Sequence, residues 1–162
     1  MIHINTKNAP TSDFYNQGIL IKTYDKNLEL LFLSGQTGNN PEVKGEPVIE
    51  GGVGPQTKQA LQNLCAIVKQ AYGFDYAKPA HYLVALDVFL KDPGTPEKRT
   101  VQRILFNAAY LKFFEDNGVP CQKLPVRSMI WVCEVPLESP LENTVVEIKG
   151  IAAIPIKQVK FF

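Results

Sequence analysis

Two charged residues interrupt apolar, alternating stretches near the C-terminal end of the chain: Arg127 within Val126–Val135 and Glu147 within Thr144–Ile154. The alternation predicts two neighbouring strands, each lifting its charge from an otherwise apolar face. A guanidinium in a dry cleft takes a carboxylate through two parallel hydrogen bonds. A carboxylate nearby can orient and deprotonate a water. The same pattern also describes a buried ion pair, which perturbs charge states without doing chemistry. Pattern alone leaves both readings open.

Other reactive residue types offer less. His3 and His81 stand alone, without Asp, Glu or Cys at ligand spacing, so no metal site is expected. Gly51-Gly52-Val53-Gly54 precedes a helix but lacks the Lys-Ser/Thr of a phosphate loop, and reads as a turn. Cys65, Cys121 and Cys133 form no CxxC pair and read as buried, inert, reduced thiols, which suits a cytoplasmic protein. The 162 residues carry a formal charge of +1, which argues against a strongly basic nucleic-acid surface. With 45% hydrophobic and 20% charged residues, one packed domain over 1–162 is expected. Stretches such as Met129–Cys133 and Ile151–Ile154 are too short to span a bilayer, and MIHINTKNAP lacks the apolar run of a secretory signal.

The elements that must position these residues follow from periodicity. Strands are expected at Ile19–Tyr24 and Leu28–Ser34, linked by a turn at Asp25-Lys26-Asn27, and a polar loop runs from Thr37 to Pro55. Ala60, Leu61, Leu64, Ile67, Val68 and Ala71 form one stripe of a helix over Gln56–Tyr72. A strand over His81–Lys91 turns Tyr82, Val84, Leu86, Val88 and Leu90 inward. A second helix, Glu97–Asp116, is expected to turn Val101, Ile104, Leu105, Ala108 and Leu111 inward and to stop at Asn117-Gly118. Two last strands flank the loop Pro136–Asn143. The order β-β-α-β-α-β-β is an α+β layer with two helices on one face of a sheet. The other face would carry Leu83, Ala85, Phe89, Met129, Trp131, Cys133, Val145, Ile151 and Ala153 together with Asp87, Arg127, Glu147 and Lys149. Such a face is too apolar for water and too charged for a sealed core. Subunit association would cover it, and an ordinary core with charges escaping at strand ends is the alternative.

Eight blocks in register carry a resemblance. They are Asn8-Ala9-Pro10, Tyr15-x-Gln17-Gly18, Ser34-Gly35-Gln36, Gln56-Thr57-x-Gln59-Ala60-Leu61-x-Asn63-Leu64, Val88-Phe89-Leu90-Lys91-Asp92, Asn107-Ala108-x-Tyr110-x-x-Phe113-Phe114, Pro125-x-Arg127-Ser128 and Val146-Glu147-Ile148-x-x-Ile151-Ala152. From Asn8 to Pro155 the chain resembles the Rid family, the reactive intermediate deaminases also called YjgF or L-PSP endoribonuclease proteins. The resemblance implies a chorismate-mutase-like (bacillus type) fold with a mixed sheet. It also implies a homotrimer with a cleft at each subunit interface. It assigns Arg127 to clamp the substrate carboxylate, Glu147 to hold the attacking water, and Tyr15 and Asn107 to line the cleft. Ser34 and Gly35 would shape its wall. Met129 stands where many members have cysteine, Lys149 where many have a second acid, and Thr37-Gly38 where an apolar pair is usual. These departures point to a divergent subgroup.

The activity so implied is cofactor-free hydrolysis of reactive enamines or imines, such as 2-aminoacrylate or 2-iminobutanoate, to 2-oxo acids and ammonia. Two other readings remain beside it. One is endoribonuclease action or translation inhibition, which near-neutral charge and two isolated histidines support poorly. The other is a non-catalytic trimer that binds small carboxylates through Arg127.

Overall fold

The computed structural model describes residues 1–10, 16–22, 28–72, 78–135 and 143–155. Six strands join in one sheet: β1 (Ile2–Ile4), β2 (Gly18–Lys22), β3 (Leu28–Thr37), β4 (Leu83–Lys91), β5 (Val126–Val132) and β6 (Val146–Pro155). Helix α1 (Val53–Tyr72) connects β3 to β4, and α2 (Pro96–Asp116) connects β4 to β5. The strands run β1-β2-β3-β6-β4-β5 across the sheet. Every neighbouring pair is antiparallel except β4 with β5, so the sheet is mixed. A parallel pair needs a long crossover, which α2 supplies.

The expected order β-β-α-β-α-β-β gains a strand at its start. Ile2–Ile4 pairs with Gly18–Leu20, and three residues are too few to show a period. The turn at Asp25-Lys26-Asn27 and most of the loop Pro136–Asn143 lie outside the described residues.

One face of the sheet holds the core. Leu31 and Leu33 of β3, Leu86, Val88 and Leu90 of β4, and Ile148, Ala152 and Ile154 of β6 are buried with Ala60, Leu61, Leu64, Ile67 and Val68 of α1. Each buried Leu, Ile or Val side chain contributes about 1.5–3 kcal/mol. Helix α2 is capped by Thr95, whose Oγ1 accepts a hydrogen bond from Lys98 N, and Pro96 follows in its first turn. Asp92, at the end of β4, accepts from Arg99 in that turn, and the guanidinium holds the Asp92 carboxyl below its ordinary range.

Several expectations are corrected. Helix α2 turns the other way: Phe106, Tyr110, Phe113 and Phe114 are buried, while Val101, Ile104, Leu105, Ala108 and Leu111 face outward. Both sets recur at helical spacing, and the rings win because each removes more area from water. On β4, Leu83 is 2% exposed and Val84 41%, because the register against β6 shifts between Leu83 and Ala85. Leu83 therefore belongs to the core. His81 sits in a 3-10 turn at Pro79–Tyr82, its Nε2 3.0 Å from Asn117 O, rather than in a strand. His3 is held in β1, its Nδ1 2.9 Å from Asn16 Nδ2. Of the cysteines only Cys65 is buried; Cys121 and Cys133 are exposed.

The open face is also composed differently. Arg127, Met129 and Trp131 pair in register with Leu86, Val88 and Leu90, so they lie on the helix side, and Met129 and Trp131 pack against the core. Val145 likewise packs against the core, just before β6 begins. The open face carries Phe32, Ala85, Phe89, Ile130, Ile151 and Ala153. Asp87 and Lys149 pair there at 3.5 Å, with the Lys149 ammonium 5.6 Å over the Phe89 ring.

Candidate active site

Arg127 stands on β5, an edge strand of the sheet. Its guanidinium carbon lies 4.5 Å from the ring centroid of Tyr110 and 5.1 Å from that of Phe106. Asn107 Oδ1, one turn along the same helix, accepts from Arg127 Nη2 at 2.5 Å. The spacing Phe106, Asn107, Tyr110 puts two rings and one amide within reach of one cation. Tyr110 Oη donates to Pro125 O at 3.2 Å, tying α2 to the entry of β5. Burial pushes the Tyr110 hydroxyl pKa up, and the Arg127 charge offsets part of that. Arg127 is exposed, and a guanidinium has five N–H donors, so donors remain for an oxyanion beyond the one given to Asn107. Met129 follows two residues along on the same side, half-buried.

Glu147 lies on the opposite face. It pairs with Thr37 of β3 and Phe89 of β4. Between Leu33 and Gln36 the ladder of β3 against β6 shifts, and the extra residue falls at Ser34-Gly35. Gly35 thereby comes under the Glu147 side chain. Ser34 is fixed by two hydrogen bonds, Oγ donating to Asn16 O at 2.7 Å and N donating to Gln17 O at 2.9 Å.

The polar residues of the quoted blocks hold this wall in place. Gln17, 1% exposed, donates through Nε2 to Thr6 O, Ala9 O and Pro10 O, and its Oε1 accepts from Thr6 N. Gln56 donates to Ile49 O and Asn143 O and accepts from Val145 N. Asn63 Nδ2 donates to Thr37 O and Asn39 O. Gln56 and Asn63 thus staple the chain leaving β3 and the chain entering β6. Spacing gave these amides no role of their own; their place in a family motif was the signal. Tyr15 lies outside the described residues.

The structure does not bring Arg127 and Glu147 together within one chain. Strand β4 lies between β5 and β6, and the two side chains leave opposite faces of the sheet. The expectation of neighbouring strands is wrong, and so is that of a buried ion pair. Periodicity assigns faces but not neighbours, and β6 returns into the middle of the sheet. Among the described residues, no helix is long and apolar enough to cross a membrane.

An α+β chain with two helices on one face of a mixed sheet, an arginine on its edge strand and a glutamate on a central one defines a recognisable class. The Endoribonuclease L-PSP family matches residues 6–154, and the chain belongs to that family, the Rid group of proteins. The 2-iminobutanoate/2-iminopropanoate deaminase of Rattus norvegicus is 30% identical over 148 residues, covering 91% of this chain and 89% of that protein. The crystal structure of the YjgF gene product from E. coli superimposes with a TM-score of 0.69 at 29% identity, over 94% of this chain and 98% of that one. RidA from the Antarctic bacterium Psychrobacter sp. PAMC 21119 gives 0.69 at 23% identity, over 95% and 100%, a likeness of fold.

Proposed function

We propose that this protein hydrolyses reactive 2-imino acids and their enamine tautomers to 2-oxo acids and ammonia, at sites shared between chains of a homotrimer. The observation that carries the reading is the separation of Arg127 from Glu147 by a strand and by the thickness of the sheet. A cleft containing both needs Arg127 from one chain and Glu147 from another, and the apolar open face gives the chains a reason to associate. Deaminase relatives at 30% identity support the reaction class.

In this mechanism Arg127 binds the substrate carboxylate through two hydrogen bonds, while Asn107 and the Tyr110 and Phe106 rings hold the guanidinium in one plane. Glu147 orients a water and takes its proton as the oxygen bonds to the imine carbon. Glu147 passes that proton to the carbinolamine nitrogen, the C–N bond breaks to release ammonia as the carbonyl forms, and the hydroxyl proton leaves through Glu147 to solvent. One water is consumed per imine, with no net oxidation. RNA cleavage is the weaker reading, because neither half of the site gathers the cations a phosphate backbone requires.

Mixing two inactive variants tests this. Arg127→Ala and Glu147→Gln are each expected to lose turnover of enzymatically generated 2-aminoacrylate. Refolded together at equal amounts into cyclic trimers, three-quarters of the assemblies are mixed, and each mixed trimer regains one intact site, which restores about a quarter of wild-type activity. Failure of the mixture to recover activity, with mixed trimers demonstrated by mass, would refute the shared site.

A further inference from the structure

We infer that the outer face of α2 is a docking surface for a second copy of this chain, with the two α2 helices antiparallel about a two-fold axis. Val101, Ile104, Leu105 and Leu111 are 56%, 60%, 49% and 52% exposed, and Ala108 is exposed among them. At 100° per residue these five fall within a sector of about 120°, opposite the buried Phe106 and Tyr110, and they run for about 15 Å. Among the described residues nothing covers this aliphatic stripe, on a helix already anchored by its rings. It marks a contact.

Charge placement names the occupant. Glu97 and Lys112 share the sector of the stripe and bracket it, fifteen positions apart, about 22 Å along the axis. An antiparallel pair with its two-fold between Ile104 and Leu105 sets Glu97 of each copy opposite Lys112 of the other, while Val101 meets Ala108 and Ile104 meets Leu105. A parallel pair in register would set Glu97 against Glu97. The last turn of α2 has no basic residue and ends in Glu115-Asp116, against its own dipole. An antiparallel partner brings a helix N-terminus to that end, where the acids become favourable. Lys112 donates to Asp116 at 3.0 Å in an exposed pair, and two of its three ammonium donors remain for a partner. This surface lies on the opposite side of the sheet from Phe32 and Ile130, and the Asn107–Arg127 half of the proposed cleft sits beside it along α2.

Light scattering from micromolar to sub-millimolar concentration reads the outcome. Wild type should reach twice the mass of Ile104→Glu/Leu111→Glu, whose sites are at the surface and whose melting temperature should match wild type. Glu97→Lys or Lys112→Glu alone should weaken pairing roughly fivefold or more, since each symmetric contact is reversed twice, and the combined reversal should restore it. A wild-type mass equal to that of the stripe variant at every concentration overturns the inference. So does a doubling that survives the stripe variant, or one that the combined reversal leaves broken.

Discussion

The Glu147 carboxylate occupies the space into which any side chain at position 35 would project: its Oε1 lies 1.7 Å from where a Cβ on Gly35 would stand. Glycine at 35 is thus a condition for the carboxylate's position. The backbone is not strained there, since the constraint is space rather than φ. Gly35→Ala should push the carboxylate aside and lower kcat by roughly 10²-fold or more, the scale of a misplaced general base. Binding of a 2-oxo acid by calorimetry should change far less. Undiminished kcat in a folded Gly35→Ala protein would contradict this.

Arg127 and Glu147 should separate kinetically. Arg127→Ala should raise KM and lower kcat/KM, and Arg127→Lys should rescue little, because an ammonium lacks the planar two-point geometry. Glu147→Gln should lower kcat by roughly 10²–10⁴ while ligand binding persists. Equal turnover in wild type and Glu147→Gln would reduce Glu147 to a structural role.

Tyr110 positions the guanidinium rather than touching substrate. Tyr110→Leu removes the ring 4.5 Å from Arg127 and should raise KM by roughly 3- to 30-fold, the worth of a partly desolvated cation–π contact. Tyr110→Phe keeps the ring and loses only the bond to Pro125 O, about 1 kcal/mol of stability, so its KM should stay near wild type. Steady-state kinetics on both variants checks the contrast.

Thiol chemistry should divide the cysteines two to one. Cys121 and Cys133 are exposed, whereas burial pushes the Cys65 thiol up to about 12. A thiol reagent at pH 8 should titrate two groups in the native protein and three after denaturation. The neutral thiol is the form folding favours, so its contribution is intact below the unfolded value of 9.0 and declines as pH rises from there toward about 12. Cys65→Ala should remove up to about 1.4 kcal/mol per pH unit from the alkaline slope of stability in that window. An unchanged slope would contradict it.

The sequence disclosed some parts of this architecture and hid others for physical reasons. Helix α1 is readable because its apolar residues form one stripe, and all of that stripe except the half-buried Ala71 is buried. Helix α2 was readable as a helix but not in its orientation, because an aliphatic stripe and an aromatic one share its surface. Strand spacing correctly placed Arg127 and Glu147 on strands, yet Arg127 was assigned to the open face with Glu147. The sign of a face cannot be read from an edge strand whose both sides carry apolar residues. The shift at Leu33/Gln36, which sets Gly35 beneath Glu147, has no signature beyond a glycine in a motif.

The two halves of the site hang from ladders of unequal strength. Glu147 sits on β6, hydrogen-bonded to β3 on one side and β4 on the other, whereas β5, which carries Arg127, is paired only with β4 among the described residues. Local opening follows that hierarchy, since an edge strand detaches at lower cost than a central one. Amide exchange in β6 should reach the rate set by complete unfolding, while β5 exchanges well before it. On warming, the protein should then lose its grip on a carboxylate while its fold is still intact: a temperature window of empty but native molecules, bounded by the fraying of one strand.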